Sequence, residues 1–270
     1  MAIRFLHLAD THLGARHPAI GRGGGGRAGG ADPYLRNMRR ALAPARAGRA
    51  DLVLHGGDLF HRSRPPPRIL HAAATMLTEA AEGGAHVVLV PGNHERSLVP
   101  CRLLMSHPRI HLVDRPRRVR LAIDGAEVAI FGFPFLRRDA RSRFEAALRE
   151  TGWPEGRGDV DVLLCHQAFD GATVGPANYT FRRGPDVIPR TFVPVGFDYL
   201  ALGHIHRHQL LAHPRRPDLA FAWPGSTERT ARAERFEEKG ILAGILEPGE
   251  PVAPVFCRLP AASLAREVSA

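Results

Sequence analysis

Lysine occurs once in this chain of 270 residues, at Lys239, so arginine supplies almost all of the positive charge. The glycine-rich stretch GRGGGGRAGG at 21–30 lacks the Lys-Ser/Thr ending of a phosphate-cradling loop, which leaves a flexible insertion as its expected role. Cysteine is also scarce. Cys101, Cys165 and Cys257 form no C-x-x-C pair, which excludes a disulfide framework. No run approaches the roughly 20 apolar residues that a membrane-spanning helix needs. The opening MAIRFLHLAD has neither the apolar core nor the cleavage site of a signal peptide. A cytoplasmic protein with reduced thiols and no membrane contact is expected. No zinc-finger or helix-turn-helix pattern is present, so any nucleic acid would be met through its backbone and shape.

Hydrophobic residues make up 44%, enough for a sizeable core, and the length suits one large domain or two small ones. With no repeat and no clear linker, a single domain over 1–270 is expected. The formal charge of +10 would attract polyanions such as nucleic acid, although a coding bias towards Arg, Ala, Gly and Pro would leave the same mark. Fifteen histidines exceed what solubility requires and raise the question of metal.

Strand-like and helix-like runs alternate along the chain. Strands are expected at 3–9, 51–57 and 85–90, with helices at 35–47, limited by Pro44, and at 68–82. Further strands are expected at 109–113, 117–123, 127–132, 160–166 and 197–204, and near 219–223, 240–246 and 252–258. A helix fits 139–150. This order marks a layered α/β fold.

Five polar clusters lie near the ends of apolar strands: ADTH (9–12), GGD (56–58), GNHE (92–95), CHQ (165–167) and GHIH (203–206). Sites in open α/β sheets gather beyond the carboxyl ends of strands. Taken singly, each cluster also fits a turn or a structural histidine. Together, Asp10, His12, Asp58, Asn93, His166, His204 and His206 offer oxygen and nitrogen donors without thiolate, a set that suits Mn, Fe or Zn. Seven donors are too many for one catalytic metal and enough for two if one carboxylate bridges. Two cations about 3.5–4 Å apart clamp the attacking and leaving oxygens of a phosphoryl transfer, with a bridging hydroxide as nucleophile.

The order D-x-H, G-D, G-N-H-E, H, G-H-x-H resembles that of the calcineurin-like metallophosphoesterases. The resemblance implies a sandwich of two mixed β-sheets flanked by helices. It assigns Asp10, His12, Asp58 and His206 to one metal and Asp58, Asn93, His166 and His204 to the other, with Asp58 bridging. His94 would face the phosphate as a catalytic residue, and Glu95 would support the shell. HLADTHLG (7–14), GGDLFHRSRPP (56–66), FDYLALGHIHRHQ (197–209) and WPGSTERT (223–230) resemble the SbcD-like DNA repair exonucleases. HQAFDGA (166–172) and FRRGPDVI (181–188) are similar to a bacterial branch of small nuclease-like proteins. By that resemblance His61 would orient DNA, while the residues alone equally allow it a structural role at a helix start.

The implied activity is metal-dependent hydrolysis of DNA phosphodiesters. Two divalent ions are implied, manganese being expected and Fe, Zn or Mg compatible. The alternatives are a phosphodiesterase or phosphatase for a small nucleotide or other phosphoester, and a non-catalytic DNA-binding partner of an ATPase. DNA, a coiled-coil ATPase subunit and a second copy of the chain are the expected partners. SbcD-like subunits continue into a DNA-capping domain and an ATPase-binding segment, for which a chain ending at Ala270 leaves little room. Arg62, Arg64, Arg68, Arg182, Arg183, Arg190, Arg207 and Arg229 are candidate phosphate contacts.

Overall fold

In β1 (Ile3–Leu8) the side chains alternate between two destinations: Ile3 and Phe5 join one apolar cluster, Leu6 and Leu8 another. β2 (Leu52–His55) and β3 (His86–Leu89) repeat the pattern, with Leu52, Leu54 and Val88 on one side and Val53, Val87 and Leu89 on the other. A strand covered on both faces must be apolar at nearly every position, which is why these segments read as unbroken hydrophobic runs. The computed structural model describes residues 1–18, 32–95 and 107–262. The glycine-rich 21–30 and Cys101 fall outside them.

The strands form two six-stranded mixed sheets. The first adds β4 (Ile110–Leu112), β15 (Lys239–Leu246) and β16 (Val255–Leu259) to these three, in the order β16-β15-β1-β2-β3-β4. β1 to β4 run parallel, whereas β15 and β16 are antiparallel to their neighbours. The second sheet is built from β5 (Arg117–Ile123), β6 (Ala126–Phe133), β7 (Val160–His166), β12 (Tyr199–Gly203), β13 (Gln209–His213) and β14 (Arg216–Trp223). Their order is β13-β14-β12-β7-β6-β5, and β6, β7, β12 and β14 are parallel. Between β7 and β12 lie four two-residue strands: β8 (Ala168–Phe169), β9 (Thr173–Val174), β10 (Tyr179–Thr180) and β11 (Val187–Ile188).

Residues from both sheets meet in one apolar layer, among them Phe5, Leu54, Val128, Val162, Tyr199 and Leu242. Outside the first sheet lie α1 (Pro33–Ala41), α2 (Ala43–Arg46) and α3 (Pro67–Glu82); outside the second lies α4 (Ala140–Glu150). The expected sandwich is the observed one. The helix expected over 35–47 is two helices instead. Pro44 has no N–H to continue the ladder and sits in the first turn of α2, where none is needed.

Two features join the sheets. Buried His7 on β1 donates from Nε2 to the Leu202 carbonyl at 3.1 Å and accepts from the Tyr199 hydroxyl at 2.9 Å. Desolvation drives its pKa down to about 3, so it stays neutral there. At the strand ends the backbones themselves come together: a Cβ on Gly203 would lie 2.1 Å from the Gly56 carbonyl oxygen. Only glycine permits that approach.

Candidate metal centre

The carboxyl ends of β1, β2, β3, β7 and β12 open at this join, and each delivers one of the five polar clusters. Asp10, His12, Asp58 and His204 all have positive φ, between 44° and 87°. Holding non-glycine residues there costs on the order of 1–3 kcal/mol each, a strain typical of functional sites. Backbone bonds fix the loops that carry them: Asp10 N donates to Gly57 O and His12 N to Asp58 O, both at 2.9 Å.

All seven residues expected as ligands converge. The Nε2 atoms of His12 and His206 are 3.0 Å apart. Asn93 Oδ1 lies 3.0 Å from both His166 Nε2 and His204 Nδ1. Asp58 Oδ2 stands 3.7 Å from His12 Nε2 and 3.5 Å from His166 Nε2, so one oxygen reaches a histidine of each expected set. Asp10 Oδ1 lies 3.8 Å from His206 Nε2 and 4.0 Å from His166 Nε2. Ligand atoms of Asp10, His12 and His206 fall within 4.8 Å of one another, and so do those of Asp10, Asp58 and His166.

Hydrogen bonds behind the cluster set the tautomers. His166 donates from Nδ1 to the Gly56 carbonyl at 2.7 Å, which leaves Nε2 facing the site. His206 donates from Nδ1 to Glu234 Oε1 at 2.9 Å, which does the same for its Nε2. His166 Nε2, Asn93 Oδ1 and Asp58 Oδ2 therefore face one another. Such a convergence needs protons or cations between the atoms, and the donor types and spacings fit divalent cations.

The titration pattern expresses the same crowding. Burial alone would raise Asp58; the adjacent His166 reverses this and holds the carboxyl below its ordinary range. Burial opposes a charge on His166, but Asp58 and Asp10 outweigh it and lift its pKa to about 9. Desolvation lowers His12 and takes His204 to about 3, so both are neutral and available as ligands at pH 7.

His94 sits at the open side. Its backbone N–H donates to Asp58 Oδ1 at 2.9 Å, and its Nδ1 donates to the His61 carbonyl at 2.9 Å. Its Nε2 then lies 3.9 Å from Asp58 Oδ2. The His61 ring is 5.1 Å from that of His94 and 5.4 Å from that of His12. α3 begins only at Pro67, and no side chain caps it, so His61 has no helix-start role. Glu95 is buried and accepts from Gly92 N at 2.6 Å and Phe60 N at 2.9 Å, tying two of the cluster loops together. Burial raises its pKa to about 7.

A third rank of residues escaped sequence reasoning. Glu234 accepts from His206, from the Thr230 hydroxyl at 2.7 Å and from Lys239 Nζ at 2.8 Å. Lys239 is fully buried and also donates to the His206 carbonyl at 3.1 Å. Its singularity was the available signal: the only lysine of the chain lies beneath the site.

The calcineurin-like phosphoesterase family model matches residues 3–208, which include every one of these ligand candidates. The chain belongs to the calcineurin-like phosphoesterase family. Such enzymes use divalent metals, and the Asp/His cluster of this phosphoesterase can hold them. It is 28% identical to the DNA double-strand break repair protein Mre11 of Methanopyrus kandleri over 88% of this chain and 51% of that protein. It is also 28% identical to Mre11 of Methanocaldococcus jannaschii, over 85% of this chain and 58% of that one. The phosphoesterase thus spans between half and three-fifths of the length of these relatives. A hypothetical protein from Thermus thermophilus shares the fold, with a TM-score of 0.52 and 14% identity, covering 96% of this chain and 100% of that one. No helix among the described residues is long and apolar enough to cross a membrane.

Proposed function

We propose that this phosphoesterase hydrolyses DNA phosphodiester bonds with two divalent cations, manganese being the expected metal. The observation that carries this reading is the reach of Asp58 Oδ2 to His12 and His166, one histidine from each set. Asp10, His12, Asp58 and His206 would hold one ion, and Asp58, Asn93, His166 and His204 the other. Bound there, two cations would supply Lewis acidity and lower the pKa of bound water.

The chain's own residues do the rest. With cations bound, His166 and His206 would give up the Nε2 proton and coordinate through that atom, because Gly56 O and Glu234 hold their Nδ1 protons. His94, oriented by the His61 carbonyl, offers Nε2 to the phosphate oxygens, where it stabilises developing charge or protonates the leaving oxygen. His61 borders the same opening and would orient the strand. DNA as substrate is supported by the net positive charge and by the repair role that the relatives' names state. A coiled-coil ATPase subunit belongs to the same reading through the SbcD-like motifs, and a homodimer and a cytoplasmic location are part of the same proposal.

The test is Mn²⁺-dependent cleavage of linear duplex DNA, single-stranded DNA and bis-p-nitrophenyl phosphate, with Asp58→Asn as the inactive control. Cleavage of DNA and dye ester, both lost in the variant, is the expected result. Dye-ester cleavage without DNA cleavage would assign a small phosphoester instead.

A further inference from the structure

Three of the arginines expected to contact phosphate are occupied within the protein. Arg207 donates to Glu237 at 3.2 Å, to Asn178 at 2.7 Å and to the Gly175 carbonyl at 2.6 Å. Arg190 is held by Asp170 and the Ala212 carbonyl, and Arg229 by the carbonyls of Glu234, Glu237 and Ala262. Three of the phosphate contacts expected from sequence are therefore struts of the fold. Arg62 and Arg137 differ: among the described residues neither side chain has a hydrogen bond or ion pair.

Both line one open groove of about 540 Å³ together with His61, Ser63, Asn93 and His94. Among the described residues no carboxylate lines it. Arg62 comes from the loop after β2 in the first sheet and Arg137 from the segment after β6 in the second, so the groove is assembled from both halves of the sandwich at the metal centre. Arg137 carries no motif and was not foreseen. Two guanidinium groups without a counter-charge, beside Asn93 and His94, suit an anion larger than the phosphate under attack. A small phosphoester carries no flanking phosphates; a nucleic-acid strand carries one per nucleotide. Planar guanidinium forks match phosphate oxygens two at a time.

We propose that Arg62 and Arg137 grip the phosphates flanking the scissile one in a nucleic-acid strand and so select polymeric substrate over small phosphoesters. This rests on the phosphodiesterase reading above. The binding is backbone-directed, so its energy lies in released counterions and falls as salt rises.

The test is steady-state cleavage of a single-stranded oligonucleotide by the Mn²⁺-loaded full chain across a salt series. Wild type is compared with Arg62→Ala/Arg137→Ala and with Arg62→Lys/Arg137→Lys. In the alanine pair KM should rise about tenfold or more with kcat within about threefold, and the slope of log KM against log salt should fall by about 1.4, roughly 0.7 per lost single-strand contact. The lysine pair should recover most of the slope, since it keeps the charges. Both side chains are exposed, and an unchanged melting temperature would show that the alanine pair folds. Unchanged KM and slope in that pair would overturn this inference while leaving wild-type DNA cleavage, and the proposed function, standing. Wild-type turnover of bis-p-nitrophenyl phosphate but not of DNA would overturn the groove assignment together with the DNA reading. Turnover of neither would remove the hydrolase reading itself.

Discussion

His166 reaches across the join of the two sheets and donates its Nδ1 proton to the Gly56 carbonyl, 2.7 Å away. One bond thus aims a ligand candidate of the second sheet at the loop of Asp58 in the first. It depends on close packing of backbone at Gly56, Gly57 and Gly203. A Cβ on Gly57 would meet His166 Nδ1 at 2.5 Å, and one on Gly203 would meet Gly56 O at 2.1 Å. Gly203→Ala should therefore force the sheet ends apart. The expected loss is about 1–3 kcal/mol of stability, measured by urea denaturation of metal-free protein, with weaker metal uptake. Unchanged stability would mean that the join is looser than its geometry indicates.

Glu234 acts on the site through His206. In Glu234→Gln the charge that holds the His206 Nδ1 proton is gone, and affinity for one of two cations should fall about 10–100-fold. Isothermal titration with Mn²⁺ reads this as one weakened site beside one unaltered site. The same variant strands Lys239 without its strongest partner; breaking a buried ion pair costs about 3–5 kcal/mol, so its melting temperature should drop as well. Equal weakening of both cations would place Glu234 outside this role.

His94→Ala should keep both cations, because its side chain belongs to neither expected set. Turnover should fall about 10²–10⁴-fold, the range for loss of a general acid or base. Metal content measured alongside kcat separates this outcome from a damaged site.

His7 and His55 are buried neutral, each with its pKa lowered to about 3 by desolvation, against 6.5 for the unfolded chain. The folded state therefore binds fewer protons than the unfolded one between those values. The stability they contribute is complete above pH 6.5 and is lost as pH falls towards 3. Each adds about 1.4 kcal/mol per pH unit to the slope inside that window. In metal-free His7→Gln, whose amide can still pair with Leu202 and Tyr199, the slope should shrink by about that amount. Denaturation curves between pH 6 and 4 provide the check.

The legibility of these features in the sequence followed from strand burial, on both faces in β7 and on one face in β5. β5 and β7 were placed to the residue, because alternation and unbroken apolar runs state where both ends lie. β13 was missed. Its QLLAH is a half-exposed edge strand whose apolar residues are divided between surface and core. The two-residue strands β8 to β11 have no period to detect. At the site, every ligand candidate was legible because chemistry restricts ligands to a few residue types at strand ends. Glu234 and Arg137 were not, since a carboxylate or a guanidinium in a polar loop looks like any solvated charge until the fold shows what it faces. For the same reason Arg207 and Arg229 looked free and are not.

The account turns on one aspartate serving two ions. Native mass spectrometry of Mn²⁺-saturated protein measures this directly, as bound ions per chain. Wild type should carry two, and Asp58→Asn one or none. A wild type that saturates at one ion, or an Asp58→Asn variant that retains two, would contradict it.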